Sequence, residues 1–103
     1  MARMMAIYRT PKDPEAFRRH YFETHVPMAK KLPGLRRYEV SDGTVVAPAG
    51  GPVHFVATLY FEDMAAIRAA FASPVGQECA ADRRVLAPRE DDVTILLFDE
   101  REV

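Results

Sequence analysis

His25 is the side chain whose type and position are best suited to chemistry. On a helical wheel at about 100° per residue, with Phe17 at zero, Tyr21 falls at about 40°, His25 at about 80° and Ala29 at about 120°. The imidazole is therefore flanked by apolar side chains. Because burial disfavours the imidazolium, a histidine in such surroundings is a usable general base near neutral pH. The sequence thus predicts a catalytic acid/base role for His25.

A purely structural role for His25 stays open. Pro27 has no N–H to donate to the carbonyl of Glu23, so that oxygen is left free one turn earlier in the helix, where a kink is expected. His25 can bond to it and do no more than hold the helix.

Five aromatic side chains are candidates for contact with a substrate: Tyr8, Tyr21, Phe22, Tyr60 and His54. Tyrosine hydroxyls can orient a phenol or stabilise an enolate. Apolar rings suit the wall of a ligand cavity. We therefore expect a small hydrophobic, oxygenated ligand of the aromatic, lactone or polyketide-like kind. For His54, at the start of a predicted strand, a structural or surface role stays open.

The sequence favours a site without cofactor or metal. The three histidines show neither His-x-x-x-His nor Glu-x-x-His spacing, and no nucleotide-binding motif is present. We therefore expect neither. Haem handling, with His25 or His54 as the axial ligand, stays open as a further possible function.

Other polar or reactive side chains have plainer interpretations. Cys79, the only cysteine, lies in an alanine-rich segment and is expected to be a small buried side chain. Asp82 has no partner that the sequence identifies. The pair Arg83-Arg84 is expected to lie in solvent.

A helix from Asp13 to Gly34 has to position His25. Asp13 can accept hydrogen bonds from the first N–H groups, and Pro14 falls at the first helical position, where its missing N–H costs nothing. Gly34, after Pro33, marks the end of the helix.

The remaining elements follow the same reasoning. Short apolar or alternating runs predict four strands, at Arg3–Arg9, Leu35–Val46, Val53–Phe61 and Asp92–Glu100. A second helical segment follows Glu62-Asp63 and restarts at the Ser73-Pro74 cap before Pro88 ends it. The order is β-α-β-β-α-β. It predicts an α+β protomer of the ferredoxin-like kind, with a four-stranded antiparallel sheet and both helices on one face.

Both faces of the third and fourth predicted strands carry large apolar side chains. The helices cover only one face, so the other needs a second cover. Pairing of two copies through their sheets supplies it, and we expect a homodimer.

The composition favours one small globular domain spanning residues 1–103. A net charge of -1 gives no basic footprint for nucleic acid. No apolar run reaches the roughly 20 residues that span a bilayer, so no membrane contact is expected. The start, MARMMAIYR, is too short for a signal peptide, and one cysteine cannot form an internal disulfide. The expected location is the cytoplasm.

Several motifs in this chain resemble those of the EthD family. They are YRTPKDPEAF at 8–17, YFETHVP at 21–27, LPGLRRY at 32–38 and FASPVGQ at 71–77, followed by Ala81-Asp82. The resemblance implies a ferredoxin-like protomer that pairs into a dimeric α+β barrel. It also implies an association with ethyl tert-butyl ether degradation. His25 matches the family's His-x-Pro histidine, and Asp82 matches the last of these motifs, which implies a hydrogen bond that anchors its helix. Relatives of this fold include isomerases, monooxygenases, cyclases, decarboxylases and haem-degrading enzymes.

Two functions agree with these observations. The first is a cofactor-independent enzyme, such as an isomerase, cyclase, decarboxylase or monooxygenase, with His25 as acid/base. The second is a non-catalytic binding or accessory protein for a hydrophobic metabolite in a degradation pathway.

Overall fold

A four-stranded antiparallel sheet with helices on one face forms the protein, as the element order predicted. The computed structural model describes all of residues 1–103. The strands are β1 Ala2–Tyr8, β2 Arg37–Val40, β3 Phe55–Phe61 and β4 Val93–Asp99, in the sheet order β2-β3-β1-β4. The helices are α1 Pro14–His20, α2 Val26–Ala29, α3 Met64–Ala72 and α4 Pro74–Leu86. A π-helical turn, Tyr21–His25, joins α1 to α2, and a 3₁₀ turn, Glu90–Asp92, precedes β4.

The predicted helix caps are confirmed. The Asp13 carboxylate accepts a hydrogen bond from Ala16 N at 3.1 Å, and Pro14 is the first residue of α1. Asp63 caps α3 by accepting from Ala66 N at 2.8 Å. The break between α3 and α4 lies at Ser73, whose hydroxyl accepts from Gly76 N at 3.1 Å.

The prediction of one α-helix from Asp13 to Gly34 is wrong in two respects. The helix ends at Ala29, and its middle is the π-turn, in which Val26 N–H donates to Tyr21 C=O five residues back. Pro27 explains the wider turn, because it cannot donate to Glu23 and its ring would clash with that carbonyl. The expected kink thus takes the form of a π-turn. Gly34 lies after the helix with φ +78°.

The second predicted strand, Leu35–Val46, is shortened to the four residues of β2. Pairing with β3 ends at Ser41, whose hydroxyl accepts from Val56 N at 3.0 Å. The chain then turns at Gly43, which has φ +78°, a conformation that favours glycine.

The core lies between the sheet and the helices. Alternate residues of β1 and β3 are buried there, and they pack against Phe17 and Tyr21 from the first helical segment and Ile67 and Cys79 from the second. The strand residues are Ala2, Met4, Ala6, Tyr8, Ala57, Leu59 and Phe61. No helix is long and apolar enough to cross a membrane.

The other face of the sheet carries no helix. Register places Met5 opposite Thr58 and Leu96, and Ile7 opposite Val56. Leu96 and Phe98 are 43% and 37% exposed on this outer face. An apolar sheet face therefore remains uncovered within one protomer.

Candidate active site

Two histidines share the carboxylate of Asp82. His25 Nδ1 lies 2.8 Å from Asp82 Oδ2, and His20 Nε2 lies 2.8 Å from Asp82 Oδ1. His25 is 8% exposed, whereas a third of the His20 side chain is exposed. The expected hydrogen bond of Asp82 therefore exists, and its two partners both lie on the first helical segment.

The π-turn is what brings the two histidines to one carboxylate. On a regular α-helix, residues five apart are about 140° apart around the axis, so His20 and His25 would face different neighbours. The π-turn between them adds one residue to the turn and rotates His25 back toward the side of His20. The pairing of His20 with Asp82 was not predicted from the sequence, because an α-helical wheel places His20 away from His25.

His25 is held as a neutral imidazole with one nitrogen free. Burial lowers the pKa of His25, and the hydrogen bond that His25 donates to Asp82 offsets this only in part. Burial by itself raises the pKa of Asp82, but the hydrogen bonds from His20 and His25 hold that pKa below its usual range. A neutral His25 therefore donates Nδ1–H to an ionised Asp82. Its Nε2 has no hydrogen-bond partner in the chain and is not sealed from open space.

A small cavity lies beside His25, between the sheet and the helices. Its volume of about 20 Å³ is room for roughly one water-sized group. Its polar or ionisable lining consists of Tyr8, Tyr21, His25, Tyr38, Cys79 and Arg83. Tyr21 and Tyr38 join their hydroxyls at 2.5 Å, and the Tyr21 ring lies 5.1 Å from the His25 ring.

The tyrosines and the cysteine of this cavity are protonated at neutral pH. Burial raises the pKa of Tyr38 to about 12 and that of Cys79 to about 11. Burial also raises the pKa values of Tyr8 and Tyr21 far above their ordinary range. Cys79 is buried, as predicted, and a thiol with a raised pKa is a poor nucleophile.

A larger open groove of about 680 Å³ lies between α1 and the loop after β2. Phe22, His54 and Phe55 are among its lining residues, and Phe22 is 39% exposed. The Phe55 ring lies 4.6 Å from the Tyr21 ring, and Tyr21 also lines the small cavity. Phe55 and Tyr21 thus form the aromatic wall between groove and cavity.

Tyr60 lies apart from the other four predicted binding residues. It lies on the outer face of the sheet, where its hydroxyl donates to Glu39 at 2.9 Å and Arg3 lies 4.7 Å above its ring. His25 lies on the helix side of the sheet, so within one protomer Tyr60 and His25 cannot contact the same ligand. Of the five predicted binding residues, Tyr8 and Tyr21 line the cavity and Phe22 and His54 line the groove.

Arg83 corrects a sequence-based expectation. The Arg83-Arg84 pair was expected to lie in solvent, yet Arg83 is half-buried and lines the cavity of His25. Only Arg84 is exposed. The two neighbours differ because consecutive residues of α4 point about 100° apart, and one of those directions meets the sheet.

Comparison with known proteins identifies the family. The EthD domain matches residues 9–90. This chain belongs to the EthD family. The match includes the π-turn, with His25, and all of α4, with Asp82.

Two relatives resemble this EthD protein along nearly its whole length. A Rhodococcus erythropolis protein described as an uncharacterized 11.0 kDa protein in the thcB-thcC intergenic region is 39% identical, and the alignment covers 100% of this chain and 98% of that protein. The crystal structure of an EthD-family protein from Bacillus halodurans is 27% identical, with a TM-score of 0.87 over 98% of this chain and 99% of the other.

Two more distant structures share the fold alone. SnoaB from Streptomyces nogalater, a cofactor-independent oxygenase, is 20% identical, with a TM-score of 0.66 over 99% of this chain and 94% of its own. A dimeric ferredoxin-like protein from Thermobifida fusca is 18% identical, with a TM-score of 0.68 over 94% of this chain and 88% of its own.

Proposed function

We propose that this EthD protein is a cofactor-independent enzyme that moves a proton on a small hydrophobic, oxygenated compound, with His25 as the general base. The observation that carries the proposal is the pairing of His25 Nδ1 with Asp82 at 2.8 Å while Nε2 stays unpartnered. This arrangement presents a lone pair beside a cavity and disperses the charge that His25 gains when it takes a proton. Asp82 acts as a positioning residue.

The substrate in this proposal is divided between cavity and groove. Its reacting oxygen enters the cavity beside Tyr8 and Tyr21, and its apolar ring lies in the groove against Phe22 and His54. The Phe55 side chain must turn aside to join the two spaces. An aromatic, lactone or polyketide-like compound has the required combination of flat apolar surface and oxygen.

A reaction without cofactor is compatible with this fold. SnoaB, described as a cofactor-independent oxygenase, shares it at a TM-score of 0.66. The likeness supports only the general class of chemistry, because fold does not determine reaction. Proton transfer, as in isomerisation, cyclisation or decarboxylation, needs no more than the base and polar groups described above.

Replacement of His25 tests the proposal. Phenols, quinones and lactones are first screened for binding by thermal shift, and compounds that bind are incubated with the protein for product analysis. We expect His25→Asn to lower turnover at least about 100-fold while the fold is retained. Thr24→Asn, an exposed change on the same turn, is the matched control. Undiminished turnover by His25→Asn would remove His25 from the reaction.

A second candidate function is a non-catalytic binding or accessory protein for a hydrophobic metabolite. The observation that favours it is the contrast between a cavity of about 20 Å³ next to His25 and an open groove of about 680 Å³ apart from it. In this case His25→Asn changes the affinity for ligands, and no compound that binds is converted to product.

The outer face of the sheet supports a homodimer. It exposes Leu96 and Phe98, and a ferredoxin-like protein of the same fold is described as dimeric. We propose that two copies pair through these faces.

The single buried thiol of Cys79 is compatible with the cytoplasm, the compartment that we propose.

A further inference from the structure

Arg83 is a charged residue that lines the cavity and has no role in the proton transfer proposed for His25. Its half-buried side chain lines the same cavity as His25, and it forms no ion pair within the chain. An arginine in such a position is ordinarily paired with a carboxylate, because an uncompensated charge is costly to desolvate. Asp82, the adjacent acid, is instead engaged by the two histidines.

Tyr8 gives a second, independent indication of a ligand. Its side chain is 1% exposed, and its hydroxyl makes no hydrogen bond within the chain. Buried hydroxyls are ordinarily paired. No polar side-chain atom of the protein is both sealed and unpaired, so this hydroxyl faces open space, and Tyr8 lines the cavity. Two hydrogen-bond donors, from β1 and from α4, thus lack a partner at one place.

The other ionisable residues that line the cavity are neutral at neutral pH, so Arg83 supplies the net charge of the lining. Tyr8 on β1, Tyr21 on the π-turn, Tyr38 on β2 and Cys79 on α4 all have pKa values raised by burial and are neutral. His25 is neutral as well, and the charge of Asp82 is directed at the histidines. A cavity of about one oxygen atom, with a cation and a free hydroxyl, is suited to an oxyanion.

We propose that Arg83 and Tyr8 form an oxyanion site, and that the substrate is therefore a phenol or an enolisable ketone. The inference rests on the proposed base function of His25. In the ketone case, His25 Nε2 takes the proton from the carbon next to the carbonyl. The C–H electron pair forms the C=C bond, and the carbonyl π pair moves onto oxygen, next to Arg83 and Tyr8. Where the ketone also carries a β,γ C=C bond, the pair on oxygen re-forms the C=O bond, the C=C bond moves to the α,β position, and its former π pair takes the proton back from His25 at the γ carbon, which completes an isomerisation with no oxidant or reductant. A phenol gives up its O–H proton in the same way.

Binding of 4-nitrophenol tests the oxyanion site directly. Its phenolate and phenol absorb at different wavelengths, and 4-nitroanisole provides the same ring without an ionisable proton. We expect the protein to bind the phenolate in preference to both neutral forms. In Arg83→Met, phenolate affinity should fall about 10- to 100-fold while 4-nitroanisole binds as before. Arg84→Met, one residue further and exposed, should bind like the unchanged protein.

Further variants separate this inference from the proposed function. Arg83→Lys keeps the charge and should retain part of the preference, and circular dichroism confirms that each variant is folded. His25→Asn should keep the phenolate preference, because the phenol proton then passes to solvent. Equal phenolate binding by Arg83→Met and the unchanged protein, an equal loss in Arg84→Met, or no preference over 4-nitroanisole overturns the oxyanion site. Failure of the base function shows differently, as turnover that His25→Asn leaves intact.

Discussion

At the scale of the residue, Asp82 determines what His25 can do. The Asp82 carboxylate oxygen lies 2.8 Å from His25 Nδ1 and holds the imidazole proton on that nitrogen. The free lone pair of the ring is therefore on Nε2. The burial of His25 was predictable, because its position among apolar helix residues is visible in the sequence. Its partner was not, because the two lie 57 residues apart and only the packing of α4 on the π-turn joins them.

Acid should destabilise the folded protein through His25. Burial lowers the pKa of folded His25, so the unfolded chain takes up the His25 proton at a higher pH than the folded one. Stability is therefore present above about pH 6.5 and is lost as the pH falls toward the lower folded pKa. Asp82, whose pKa is also lowered, extends the loss below about pH 4.

Urea unfolding at several pH values between about 7 and 5 measures this dependence. In His25→Gln the free energy of unfolding should fall less over this range than in the unchanged protein. Thr24→Asn should follow the unchanged protein. If His25→Gln and the unchanged protein lose stability in parallel, His25 is not the group that titrates.

At the scale of the element, the close approach of α3 and α4 positions Asp82 and Arg83. The caps of both helices were predictable, because Asp63 and Ser73-Pro74 act on the backbone beside them. The π-turn was not, because it depends on how Pro27 and the neighbouring helix are accommodated together. The length of β2 was predicted wrongly for a similar reason, since the end of its pairing depends on a tertiary hydrogen bond from Val56 N to the Ser41 hydroxyl.

Gly76→Ala tests this close approach. A Cβ at Gly76 would overlap the carbonyl oxygen of Ala70 and the Cα of Phe71, and backbone atoms cannot turn aside. We expect a loss of about 1–3 kcal/mol or more in the free energy of unfolding. Urea unfolding measures it, with the exposed Glu78→Ala on the same helix as control. A change in Gly76→Ala of less than about 0.5 kcal/mol would show that the helices separate easily.

At the scale of the whole molecule, one sheet separates two different surfaces. The helix side holds the cavity of His25. The outer side presents the apolar side chains of Met5, Leu96 and Phe98. The same side also carries a polar cluster, in which Tyr60 contacts Arg3 and Glu39. Strand alternation predicted both apolar faces. It could not tell which side Tyr60 shared with His25, because that depends on where the helices pack.

Leu96→Asp tests the proposed dimer. A carboxylate on the outer face, halfway along the edge strand β4, should separate the copies, so that sedimentation reports two chains for the unchanged protein and one for the variant. Leu97→Asp is the matched control, because Leu97 is 45% exposed and points to the opposite side of β4. A single-chain mass for the unchanged protein, or a dimer that survives Leu96→Asp, contradicts pairing through this face.

The protonation state of His25 tests the proposed base directly, and its measurement needs no substrate. Nitrogen-15 NMR of the histidine rings distinguishes the neutral Nδ1–H form, the neutral Nε2–H form and the imidazolium. At about pH 7 we expect His25 to be neutral, with its proton on Nδ1 and a bare Nε2. In Asp82→Asn this preference should be lost. An imidazolium, or a proton on Nε2, in the unchanged protein would contradict the proposed base.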